Sequence, residues 1–216
     1  MAVVQAVVKI IGIRPILWHR FGPDALPLEK KARAGVAGNN PDEWRSTVLV
    51  TPDKQLYLEP SYIFGSIRNG AKHTRRGGKG SYQSMVASTL QVMDDRVLVD
   101  RWLPKGGLEG LNESSGQPVY LDVRSVTNPG TRGRNVRYRV AASPGWEAKF
   151  QIAWDNTLIS VQIMEAIVGD AGRFSGLGDG RSIGFGRFEV ASFENLEEIK
   201  SAQKPAAKRA VARSSK

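Results

Sequence analysis

Gly169-Asp-Ala-Gly-Arg-Phe-Ser-Gly-Leu-Gly-Asp-Gly-Arg-Ser-Ile-Gly-Phe-Gly-Arg-Phe-Glu-Val190 holds seven of the chain's 23 glycines, with Arg173, Arg181 and Arg187 among them. A run so poor in Cβ atoms means that the backbone takes positive φ or that something approaches it closely. Arginines spaced through such a loop point to a phosphate chain, held by backbone N–H groups and guanidinium forks. The same stretch reads equally as a glycine-rich turn joining a helix to a strand, its arginines merely solvated.

The segment before the loop reads as a helix capped by Asn156 or Thr157 and running to about Ala171. Leu158, Val161, Met164 and Val168 form its buried stripe, and Gly172 suits the position just past its end. Upstream, Trp146, Ala148, Phe150, Ile152 and Trp154 alternate along one strand face, an unbroken inward stripe that reads as core. Downstream, residues 182–191 read as a strand.

Farther upstream, Arg124, Arg132, Arg134, Arg137 and Arg139 fall in a stretch with no acid between Asp122 and Glu147. In Val136-Arg-Tyr-Arg-Val140, period-2 geometry places the arginines on one face and Val136, Tyr138 and Val140 on the other. Residues 128–134 would form an exposed hairpin tip or finger. Arginines pointing one way from a sheet edge suit a sugar-phosphate strand; the plain alternative is a hairpin kept soluble by them.

In the N-terminal half, residues 3–13 read as a mostly buried strand. Residues 22–46 carry Pro23, Pro27, Gly35, Gly38 and Pro41 and read as a long inserted loop, with one helical turn around residues 29–33. Residues 47–51 and 55–58 read as a hairpin. Pro60 and Ser61 open a helix with Ser61 as N-cap. Its apolar stripe is Ile63, Ile67 and Ala71, while Arg68, Lys72 and Arg75 share another face. Such stripes are often simply solvated. Arg75, Arg76 and Lys79 lie in a basic loop, followed by a short helix over 83–92 and strands over 96–103 and 119–126.

The net charge of +10 invites a polyanionic partner. Lys200, Lys204, Lys208, Arg209, Arg213 and Lys216 supply +6 of it, leaving +4 for the body. Residues 198–216 read as a disordered basic tail and 1–197 as one domain. With no cysteine, thiolate catalysis and cysteine-ligated zinc are excluded, and a reducing cytoplasm fits. No apolar run approaches the ~20 residues that span a bilayer, so no membrane association is expected.

The order of elements can be folded as two βαβ-like halves on one antiparallel sheet, an α+β, ferredoxin-like arrangement with helices on one face and a basic finger insertion over about 124–146. Two motifs then carry a family resemblance. Tyr57-Leu-Glu-Pro-Ser-Tyr-Ile-Phe-Gly-Ser-Ile-Arg-Asn-Gly-Ala-Lys72 resembles a helix start of the RAMP superfamily of CRISPR-associated proteins. Gly176-Leu-Gly-Asp-Gly-Arg-Ser-Ile-Gly-Phe-Gly-Arg-Phe188 resembles that superfamily's C-terminal glycine-rich loop. Together they cover about 30 of 216 residues.

The resemblance implies an RNA-recognition-motif-like domain that binds single-stranded RNA, a guide RNA, on its sheet face and glycine loop. The backbone subunit that polymerises along guide RNA is the branch it fits best, which implies a homo-oligomer and other CRISPR effector subunits as partners. A stand-alone or virus-borne relative is equally compatible. Carried over residue by residue, Arg68, Arg181 and Arg187 become backbone contacts, and Gly176, Gly178, Gly180, Gly184 and Gly186 supply close approach. Arg173, Lys72, Arg75, Arg76 and the finger arginines complete the expected surface.

No P-loop, dinucleotide fingerprint or nucleophile elbow has the required spacing, and no metal or cofactor is expected. Two alternatives remain open. One is an RNA-processing endoribonuclease using His73 as general acid; the other is a protein that mimics the backbone subunit and docks on a CRISPR complex.

Overall fold

Strand β1 (Val3–Gly12) buries Val4, Ala6, Val8 and Ile10 and turns Gln5, Val7 and Lys9 outward, the pattern of a sheet packed on one face. The computed structural model describes residues 3–20, 43–78, 80–113, 116–127 and 133–196. After β1 come β2 (Ile16–Leu17), helix α1 (Glu43–Thr47), β3 (Gln55–Leu58), helix α2 (Pro60–Gly70), a small ribbon of β4 (Arg75–Arg76) and β5 (Gly80–Ser81), helix α3 (Gln83–Thr89), β6 (Gln91–Val92) and β7 (Val97–Trp102). The second half adds β8 (Val119–Thr127), β9 (Arg134–Ala142), β10 (Glu147–Asp155), helix α4 (Val161–Asp170) and β11 (Phe188–Asn195).

The main sheet runs β11-β1-β10-β7-β3, and β1, β10, β11 and β7 pair antiparallel. Reduced to β1, α2, β7, β10, α4 and β11, the chain is βαββαβ with strand order 4-1-3-2. That is the ferredoxin-like fold expected from the sequence. One face of the sheet is sealed by helices. Phe150, Ile152, Trp154 and the inward residues of β1 share one core with Ile63 and Ile67 of α2 and Met164, Ile167 and Val168 of α4. Each of the larger aliphatic and Phe side chains so removed from water contributes about 1.5–3 kcal/mol.

A second sheet, β2-β9-β8, stands beside the first and contains the expected finger. Its β8–β9 ladder pairs Val119 with Ala142 at one end and Thr127 with Arg134 at the other. The finger tip with Arg132, the turn around 29–33, most of the 22–46 insertion and the basic tail lie outside the described residues.

Several local expectations are corrected. Thr157, instead of capping α4, turns back on Asp155, whose Oδ1 accepts from the Thr157 backbone N–H at 2.9 Å and from its hydroxyl at 2.6 Å. Ser160 is the N-cap, Leu158 is left exposed, and Ile159 enters the core. Glu59 holds the N-cap position of α2, because Pro60, lacking an N–H and fixed in φ, suits the first helical turn; Ser61 lies within it. The expected hairpin forms, with Val50 bridging Leu56, Thr51 N–H donating to the Gln55 carbonyl at 2.9 Å and Tyr57 N–H to that of Leu49 at 3.1 Å, but its first arm starts later, since Thr47 ends α1. Past Ala171 the chain winds through a wider turn to Ser175, and Gly172 serves contact, because a Cβ there would strike the Phe188 carbonyl. The last strand starts at Phe188, because residues 181–183 form a tight turn between left-handed Gly180 and Gly184.

Candidate nucleic-acid interface

The glycine loop closes first on its own chain. Leu177 N–H donates to the Gly186 carbonyl at 2.9 Å, Gly186 N–H to Pro15 at 2.7 Å, and Asp179 N–H to Leu17 at 2.8 Å. Gly176, Gly178 and Gly186 all have positive φ and are buried. A Cβ on Gly178 would lie 2.5 Å from the Leu17 carbonyl oxygen, and one on Gly176 2.7 Å from that of Phe185. These glycines therefore admit the protein's own backbone, where the sequence suggested an approaching phosphate chain. Gly184 has open space around its Cβ position, and half-buried Gly180 reaches the surface of a groove.

That groove, about 910 Å³ and open to solvent, is walled by four parts of the chain. Asn69, Lys72 and His73 come from the end of α2 and the turn after it; Ser125, Val126 and Thr127 from β8; and Phe174, Asp179, Gly180, Arg181, Ser182, Ile183 and Arg187 from the loop. Arg139 of β9 completes it. Four cations thus face one carboxylate, and that carboxylate is already engaged: Arg139 Nε meets Asp179 Oδ2 at 2.6 Å. Arg187 makes a long 3.5 Å bond from Nη2 to the Arg181 carbonyl, and its Nη1 has no acceptor among the described residues. The ring of His73 packs on Phe174, centroids 4.7 Å apart.

The finger's arginine face is not the open edge that its alternation suggested. Cross-strand pairs Asp122–Arg139, Arg124–Arg137 and Tyr120–Ala141 share one side of the ribbon, and that side leans on the glycine loop. Leu17, Tyr120, Ala141 and Phe185 form a small core between them. Arg124 is held by both oxygens of Asp122, at 2.7 and 2.9 Å, and lies over the Phe185 ring at 4.6 Å. Burial, with the Asp122 charge adding, pushes the Tyr120 hydroxyl up. On the opposite side Val140 is buried and Tyr138 packs on the main core, while Val136 is exposed.

Of the residues singled out by sequence, the groove unites Lys72, His73, Arg139, Gly180, Arg181 and Arg187. Arg68, Arg75, Arg76 and Arg134 are exposed but do not line it, and Arg137 is half-buried in the ribbon. Arg173 faces a smaller cavity that also contains Glu165 and Asp170. Phe174 and Ile183, 51% and 67% exposed, went unremarked in the sequence; large apolar side chains inside a glycine-rich loop were the available signal. The open face of the main sheet, the other expected RNA surface, is mixed in charge. Lys9 and Lys149 stand there against Glu147 and Glu189, with Lys9 paired to Glu147 at 2.7 Å.

Among the described residues no three His, Asp or Glu side chains gather as a metal ion would require, and no helix is long and apolar enough to cross a membrane. No protein-family model and no curated protein matches the chain. Among solved structures it is similar to a chain of the "Cryo-EM structure of the Type III-B Cmr-beta bound to cognate target RNA", at 12% identity and a TM-score of 0.46. The match covers 89% of this chain and 60% of that one, so this protein spans well under the neighbour's full length.

Proposed function

We propose that this protein is a non-catalytic RNA-binding protein that grips the sugar-phosphate backbone of a single-stranded guide RNA, as a CRISPR-associated, RAMP-type backbone subunit or a stand-alone relative. The observation that carries it is the groove in which Lys72, Arg181 and Arg187 meet no carboxylate but Asp179, which Arg139 already holds. Cations without carboxylate partners lower the cost of bringing a polyanion close, and each phosphate they neutralise releases counterions. The two sequence motifs support the same reading, since the second supplies Arg181 and Arg187 and the first ends at Lys72.

The test is fluorescence anisotropy with single-stranded RNAs of different sequence across a salt series. Arg181→Ala combined with Arg187→Ala should weaken all sequences alike and flatten the log–log salt slope by about 1.4, at roughly 0.7 per phosphate on a single strand. Unchanged affinity and slope would refute the assignment. Copurification of other effector subunits tests the CRISPR part independently.

A second reading uses the same groove for RNA cleavage, because His73 lines it beside Lys72. There a protonated His73 would give its proton to the 5′ oxygen as its bond to phosphorus breaks, while the adjacent 2′ hydroxyl bonds to that phosphorus and releases its own proton to water. Incubating labelled RNA with wild type and His73→Ala separates the two: cleavage lost with the imidazole replaces the binding-only assignment.

A further inference from the structure

We infer that Phe174 is a stacking platform for an unpaired nucleobase of the bound strand, with Ile183 as a second apolar contact in the same groove. The inference rests on the RNA-binding reading above and adds to it how a base, rather than a phosphate, is held. Phe174 is 51% exposed and Ile183 67%, whereas Leu177 and Phe185 of the same loop are buried. Both line the cavity that holds Lys72, Arg181 and Arg187. Apolar side chains left in water beside cations suit a ligand that alternates charge with flat aromatic surface. A single strand is such a ligand, because its phosphates and bases lie on opposite sides of one backbone.

The Phe174 ring has an aromatic neighbour. His73 packs against it with centroids 4.7 Å apart and planes tilted by 36°, so one side is supported while the rest faces the groove. A ring that already rests on a neighbour has less freedom to lose on stacking. In a duplex the bases are already stacked and their faces are closed to the protein. The platform therefore selects unpaired strands, and it tolerates any base because each has a π-face.

The experiment compares oligoadenylate with an abasic oligomer of equal length, which keeps the phosphates and lacks the bases. Wild type should bind oligoadenylate about 5- to 150-fold more tightly than the abasic strand, the range expected for one stacked base. Phe174→Ala should bind both strands with the lower affinity and an unchanged salt slope, and Phe174→Trp should restore the difference. Circular dichroism and melting of each variant establish that the exposed substitution left the fold intact. If wild type binds both strands equally tightly, the platform is refuted and phosphate binding stands. If it binds neither, the RNA-binding reading falls and the platform with it.

Discussion

Gly178→Ala tests whether the glycines close the loop on itself. At Gly178 φ is +74°, and an added Cβ would sit 2.5 Å from the Leu17 carbonyl oxygen and 2.9 Å from Ile16 Cγ1. Comfortable contacts lie near 3.5–4.0 Å, so roughly 1 Å of overlap must be relieved. The left-handed conformation costs an L-residue about 1–2 kcal/mol. Forcing an extra methyl into a packed site costs about 1–3 kcal/mol more. The expected loss is therefore about 2–5 kcal/mol, a large share of the ~5–15 kcal/mol that holds a typical domain folded. The neighbouring bond from Asp179 N–H to the Leu17 carbonyl would be strained by the same shift. Urea unfolding followed by tryptophan fluorescence measures the change. Gly184→Ala is the first control, because φ is +93° but nothing lies within 4 Å, so only the ~1–2 kcal/mol conformational cost applies. Gly169→Ala is the second: it lies in α4 at ordinary φ with open space around it, and should stabilise by about 0.5–1 kcal/mol. A Gly178→Ala protein within about 0.5 kcal/mol of wild type, the usual scatter of surface changes, would refute the reasoning.

Three further outcomes follow from particular contacts. Arg139 and Asp179, with side chains 12% and 35% exposed, join the finger to the glycine loop, and a double-mutant cycle to Ala should give a coupling near 1 kcal/mol; zero coupling would mean the ion pair does not hold the two together. Hydrogen bonds from the Thr157 hydroxyl and backbone hold the Asp155 carboxyl below its ordinary range. Because the folded value is depressed, the stabilisation is present above the unfolded carboxylate pKa and is lost as pH falls through the folded one. In Thr157→Val an NMR titration should find the Asp155 pKa raised toward the ordinary carboxylate value, and an unmoved value would refute the bond's role. Removing residues 200–216 deletes six cations, which should lower the salt slope of RNA binding while groove-dependent affinity survives; complete loss of binding would assign the interaction to the tail.

What the sequence determined was local. Alternation through Trp146, Ala148, Phe150, Ile152 and Trp154 identified the inner face of β10, because neighbouring side chains on a strand must point to opposite sides. Spacing of four placed Ile63, Ile67 and Ala71 in the core, and the order of these elements was enough for the βαββαβ arrangement. Glycine density announced positive φ, since only residues without a Cβ take it at little cost. What the glycines admit was decided in three dimensions: Leu17, far away in the chain, fills the space at Gly178. The choice among arginines was equally non-local. Arg139 and Arg187 reach the groove while Arg68 and Arg173 do not, because the finger ribbon leans on the loop and α2 ends beside it. Phe174 meets His73 for the same reason. Side-chain periodicity follows from a few adjacent dihedrals, whereas the meeting of distant segments follows from sheet register and core packing, which no short window of residues contains.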